Sequence, residues 1–170
     1  MPYHNPPMLT KLQLQNLTMP VVCANVQSSE SNVNKTVKPY HVFPEHKLAL
    51  VAVTTDTIPS ISNPDDGTTF SDPISTTQYW VDYIHANEKD VDRVVLMTHT
   101  GYSVDIEIAK QTTGVYIIVG AHSHTLLLGE PKKKDDGTWD NTGDTANKAL
   151  GSYPTIIENK DGEEVFVVTS

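Results

Sequence analysis

The chain has 170 residues, 38% hydrophobic and 19% charged, enough for one domain with a buried core. Its formal net charge is −9, and the one compact basic run, Lys132-Lys133-Lys134, is followed at once by Asp135-Asp136, which argues against a groove for nucleic acid. No apolar stretch approaches the roughly twenty residues of a membrane span, residues 1–7 have neither the basic nor the apolar region of a secretory signal peptide, and the lone Cys23 excludes an intrachain disulfide, so the compartment stays unknown.

Residues 1–8, rich in proline, read as an irregular N-terminus, and Leu9, Leu12, Leu14 and Leu17 as a short helix or turn. An apolar strand is expected at 20–26, where Cys23 acts as a small buried hydrophobe, followed by a Ser- and Asn-rich surface loop at 27–38. Residues 40–43 and 47–54 form a predicted hairpin around Pro44-Glu45-His46, with His41 as a strand residue and His46 as a turn residue. The stretch 59–73, punctuated by Pro64, Gly67 and Pro73, reads as a long loop in which Asp65-Asp66-Gly67 is a solvated turn. Ile74, Trp80, Val81, Tyr83 and Ile84 then give an amphipathic helix to Asn87, capped by Asp72 or Ser75, with His85 near its C-terminus in a structural role.

Two short β-branched runs follow, 93–97 and 115–119, each with the pattern of a buried parallel strand. Between them a helix is predicted over 101–113, closed by Gly114. Strand, helix and strand make a right-handed βαβ unit at 92–119, so both strands end on one edge of a sheet. Beyond it, residues 130–151 form a surface excursion, and 154–158 with 164–168 a C-terminal hairpin around Asp161-Gly162. The fold class is therefore α/β with a mixed sheet.

The edge of that βαβ unit carries the chemistry. His99 follows one strand directly, and His122 and His124, in Gly120-Ala121-His122-Ser123-His124, follow the other. Taken alone, His-Ser-His at a strand end is either a polar loop or a ligand pair. A third histidine at the end of the neighbouring strand favours metal, and imidazole suits zinc, iron, nickel or copper better than calcium. An extended backbone through His122-Ser123-His124 would turn both of its imidazoles to one face. Metal would also supply positive charge that an acidic chain otherwise lacks for handling phosphate esters.

Several segments carry a resemblance beyond these patterns: 20–26 (Pro-Val-Val-Cys-Ala-Asn-Val), 53–64 ending in Ser62-Asn63-Pro64, 98–105 (Thr-His-Thr-Gly-Tyr-Ser-Val-Asp), 119–125 (Val-Gly-Ala-His-Ser-His-Thr) and Tyr153-Pro154. In order and spacing they resemble the 5'-nucleotidase family of calcineurin-like metallophosphoesterases, from about Leu9 onward. The resemblance implies one partial metallophosphoesterase domain over 1–170, part of a sandwich with mixed sheets and corresponding to the C-terminal half of the family's catalytic domain. It implies a divalent-metal cofactor, two ions of zinc or manganese in the family, with His99 and His122 on one ion and His124 toward the other. It also implies a phosphate-ester or nucleotide substrate and a place in nucleotide catabolism.

Two departures qualify it. Ala121 stands where the family has a second glycine, which strains the loop if that position needs a positive φ. The family's Asp-x-His and Gly-Asn-His motifs, and a Gly-Asp placed between them, are absent from the sequence. Without the bridging carboxylate, repulsion between two cations is not offset, so at most one weak ion site and no catalytic residue are expected in the chain alone. The expectation is a 5'-nucleotidase-like phosphohydrolase segment that is inactive by itself; the alternative is a non-catalytic metal-binding or interaction module derived from that family.

Overall fold

The structure is a computed structural model that describes residues 18–169. The irregular N-terminus and the helix or turn expected at Leu9 to Leu17 lie outside the described residues.

The elements in chain order are β1 (Val21–Val22), β2 (Val26–Ser28), α1 (Ser31–Thr36), β3 (Val37–Lys38), β4 (Tyr40–Phe43), β5 (Leu48–Thr54), α2 (Ile58–Ile61), β6 (Thr68–Phe70), α3 (Pro73–Asn87), β7 (Arg93–His99), α4 (Tyr102–Gln111), β8 (Val115–Gly120), β9 (Lys132–Lys133), β10 (Trp139–Asp140), β11 (Thr155–Glu158) and β12 (Glu164–Thr169). A six-stranded sheet in the order β11-β12-β8-β7-β5-β4 forms the centre. Strands β5, β7, β8 and β12 run parallel, and the hairpins β4-β5 and β11-β12 add an antiparallel strand at each edge. The predicted βαβ unit and both hairpins are therefore present.

Both crossover helices lie on one face. Successive right-handed crossovers from β5 to β7 to β8 advance in one direction and place α3 and α4 on the same side. There Val81 and Ile84 of α3 and Ile108 and Ala109 of α4 pack on Val51, Leu96, Ile118 and Val167, which form one cross-strand row and are all fully buried or within 1% of it. Asp72 caps α3, its carboxylate accepting from Ser75 N and Ser75 Oγ at 2.7 Å each, and Pro73 occupies the first turn, where a missing N–H costs nothing.

The opposite face is different. The registers align Leu50, Val95, Ile117 and Phe166 in one row and Ala52, Met97, Val119 and Val168 in the next. None of the eight is buried, and Met97 and Val119 are 47% and 41% exposed. An apolar sheet face that the described residues leave only partly covered is thus a feature of this structure.

Three local expectations need correction. The strand at 20–26 is split into β1 and β2, because Cys23 N donates to Lys38 O and Ala24 N to Ala52 O, so the chain passes from one partner to another within two residues. The loop expected at 27–38 contains α1 and β3. Asn34 folds α1 back on β2, its Oδ1 accepting from Ser28 N at 3.0 Å and its Nδ2 donating to Ser28 O at 2.5 Å, a side-chain-to-backbone pairing six residues apart that composition does not reveal. Within 59–73, α2 and β6 are ordered, β6 pairing antiparallel with β2.

Candidate functional site

His99 is the last residue of β7, opposite Thr54 of β5 in the register. It follows Val95 and Met97 on the partly covered face, because side chains two apart on a strand point the same way. His122 lies two residues beyond β8. Parallel pairing of β7 with β8 brings the two rings to a centroid separation of 4.9 Å, tilted by 65°. Both histidines are exposed.

The backbone through His122-Ser123-His124 is curled, not extended. His122 has φ 87° and His124 φ 50°, both in the left-handed region where a Cβ is costly. The positive φ falls at His122 and not at Ala121, so the substituted glycine position is not the strained one. What holds the curl is Ser123: its Oγ accepts from Tyr102 N, at the start of α4, at 3.0 Å, and shares a hydrogen bond with Thr125 Oγ1 at 2.7 Å. Gly101, at φ 94°, lies under the loop, and a Cβ there would stand 3.6 Å from both His122 Cδ2 and Ser123 Cβ.

The structure therefore pairs His99 with His122, while His124 does not complete a set. Among the described residues there is no group of three or more His, Cys, Asp or Glu side chains placed to hold a metal ion. Two imidazoles have the donor chemistry of a transition-metal site, but zinc takes three protein ligands in a catalytic site and four in a structural one. By number, the residues present do not fit a bound ion, and no chemical step is routed through one.

Beneath the pair lies a residue that sequence reading missed. Asp105, on α4, has no exposed surface, and its Oδ1 accepts from Thr100 Oγ1 at 2.6 Å. Burial raises its pKa above the usual carboxylate range, and the hydroxyls of Thr100 and Thr98 oppose that shift. Asp105 Oδ2 and Thr98 Oγ1 are both buried, and neither has a hydrogen-bond partner among the described residues. Gly120 covers this carboxyl so closely that any Cβ would collide with Oδ2. The available signal was spacing: Asp105 shares the helix face of Ile108, Ala109 and Thr112, an acidic residue on an otherwise buried stripe.

Asn25 is a second such residue. Its amide donates to Thr54 O at 2.8 Å and Ser71 O at 2.9 Å, and its Oδ1 accepts from Thr54 N at 2.9 Å, which fixes the end of β5 beside His99. His41, His46 and His85 take no part in the pair, as expected: His41 stacks edge-on against Phe43, and His46 closes the turn after β4.

No protein-family model matches the chain. It is 29% identical over 164 residues to the snake venom 5'-nucleotidase of Crotalus adamanteus, a match covering 91% of this chain and 25% of that protein. The solved structure of a 5'-nucleotidase precursor from Thermus thermophilus superimposes with a TM-score of 0.73 at 32% identity, over 92% of this chain and 29% of that one. A calcineurin-like phosphoesterase from Bacillus subtilis shares the fold at 13% identity, with a TM-score of 0.55 over 92% of this chain. The chain spans about a quarter of the length of the curated relatives it matches. Over 91% of its length the chain is similar in sequence to the 5'-nucleotidases, and it has the α/β architecture of the calcineurin-like phosphoesterases.

Proposed function

We propose that residues 1–170 are one part of a metallophosphoesterase domain that hydrolyses phosphomonoesters of nucleotides, and that the His99 and His122 edge is half of its metal centre. The observation that carries this reading is that His99 stands at the end of the same sheet face whose apolar rows, Leu50 to Phe166 and Ala52 to Val168, are only partly covered by the described residues. A second layer laid on that face by polypeptide outside these residues would remove the apolar rows from water and bring its own side chains against the two imidazoles. It is also where the carboxylates missing from the donor set would enter. In this reading His124, exposed and one residue beyond Ser123, is the ligand for the second ion once the layer is present. Zinc or manganese is the expected metal, and a nucleotide the expected substrate, by likeness to the 5'-nucleotidases. Alone, the chain holds at most one ion weakly and does not turn over.

The test compares the 170-residue chain with a chimera in which it replaces the matching segment of the Thermus thermophilus relative. The chimera is expected to hydrolyse AMP with zinc or manganese, and His99→Ala or His122→Ala to abolish this. The isolated chain is expected to release no phosphate. Metal-dependent AMP hydrolysis by the isolated chain, lost in His122→Ala, would contradict the incomplete centre. A chimera whose activity survives both substitutions would remove these histidines from the ligand set.

The alternative, a metal-binding or interaction module without turnover, draws on the two-imidazole donor set itself. A folded chimera that binds zinc through His99 and His122 but hydrolyses nothing would select it.

A further inference from the structure

His99 is flanked on both sides by threonines whose hydroxyls are buried, and both hydroxyls lie with one carboxyl group. Thr100 donates to Asp105 Oδ1 at 2.6 Å. Thr98 Oγ1 and Asp105 Oδ2 both border the space above Gly120, where a Cβ would stand 3.2 Å from the Thr98 oxygen and collide with Oδ2. Asp105 belongs to α4, whose first backbone N–H also grips Ser123 between His122 and His124. One turn of helix thus touches the residues on either side of His99 and the residue beside His122. Alternate residues of a strand point to opposite faces, so Thr98 turns its hydroxyl to the helix side near Asp105, and the hydrogen bond that holds Thr100 sets the path along which His99 projects to the other side.

We infer that Asp105 is a positioning residue for the imidazole pair: through its hydrogen bond from Thr100 it fixes the end of β7, and packed under Gly120 it fixes the end of β8, which together set the approach of His99 to His122. This inference deepens the proposed metal-centre reading and rests on it for its purpose. The positioning itself is a property of the metal-free chain. Small errors of orientation in groups that support ligands typically cost about 10- to 100-fold in metal affinity, so the effect is measurable.

The experiment uses the metal-free 170-residue chain with isotopically labelled histidine and methyl groups. Wild type is expected to show a ring-to-ring nuclear Overhauser contact between His99 and His122. Asp105→Ala is expected to lose it while contacts among the methyls of Val51, Leu96, Ile118 and Val167 persist, and Asp105→Asn, which keeps an acceptor for Thr100, is expected to restore it. Zinc affinity of the chimera is expected to weaken about 10- to 100-fold with Asp105→Ala. Retention of the ring contact in Asp105→Ala with the core intact overturns the inference. If Asp105→Ala unfolds, Thr100→Val decides: loss of the ring contact supports positioning, and its retention overturns it. Failure of the chimera to bind zinc, with the ring contact of the isolated chain still controlled by Asp105, would count against the metal-centre reading and leave the positioning role standing.

Discussion

The side chain of Asn25 closes a pair of hydrogen bonds with the backbone N–H and C=O of Thr54, the residue that faces His99 across the sheet. It reaches Ser71 O with its other amide hydrogen, and is 2% exposed. Asn25→Ala would leave three partly buried backbone groups, Thr54 N, Thr54 O and Ser71 O, without these partners. A loss of about 2 kcal/mol or more in urea unfolding is expected, since each stranded buried group costs about 1–3 kcal/mol and water re-entry recovers part of it. A change within error of zero would show that these bonds are replaceable.

Asp105 gives stability a pH dependence of a definite sign. Its folded-state pKa is raised by burial, so the folded chain keeps the proton after the unfolded chain has released it. Stability from this group is complete below the ordinary carboxylate range and falls as pH rises through the raised value. Asp105→Asn mimics the protonated form, so its stability relative to wild type should improve from pH 4 to pH 7. Denaturant unfolding of both proteins across that range reads the difference, and cancels the opposite contributions of Glu107, Asp136, Asp140 and Asp144, whose pKa values are lowered by hydrogen bonds. A difference that is flat, or that moves toward wild type with rising pH, would disprove the assignment.

Tyr40 behaves similarly at the alkaline end. Its hydroxyl donates to Glu88 Oε1 at 2.7 Å, tying β4 to the end of α3, and this bond pushes its pKa up to about 12. Because the folded value exceeds the unfolded one, the contribution is full below the ordinary tyrosine pKa and disappears as pH climbs toward about 12. Tyr40→Phe should cost about 1 kcal/mol at neutral pH, and should remove the most alkaline step from the near-ultraviolet phenolate titration. Persistence of that step in the variant would assign it to another tyrosine.

The partly covered sheet face predicts the behaviour of the isolated chain. With Met97 and Val119 exposed in a continuous apolar row, the chain is expected to self-associate as its concentration rises. Met97→Lys should weaken that association about tenfold or more, since burying one large apolar side chain is worth about 1.5–3 kcal/mol. Sedimentation velocity over a concentration series measures it. A wild-type chain that is monomeric throughout would mean that the face tolerates water as it is.

The parts of the fold legible in the sequence were those with short-range patterns. Central strands β7 and β8 are short β-branched runs, α3 has its apolar stripe and its Asp72 cap, and the hairpins carry their turn residues. The convergence of His99 and His122 was also legible, because parallel strands joined by one helix must end on the same edge. Element α1 was not, since Asn34 anchors it through a partner outside its own local pattern.

Sequence by itself thus determined which residue types reach the sheet edge and the family they resemble. Tertiary structure decided how they meet there. Ser123 curls the His-Ser-His segment onto the start of α4, so His99 and His122 pair without His124, and Asp105 is buried beneath both strand ends. Those outcomes depend on hydrogen bonds and packing between residues about twenty apart, whose energies depend on orientation and cannot be read from spacing along the chain.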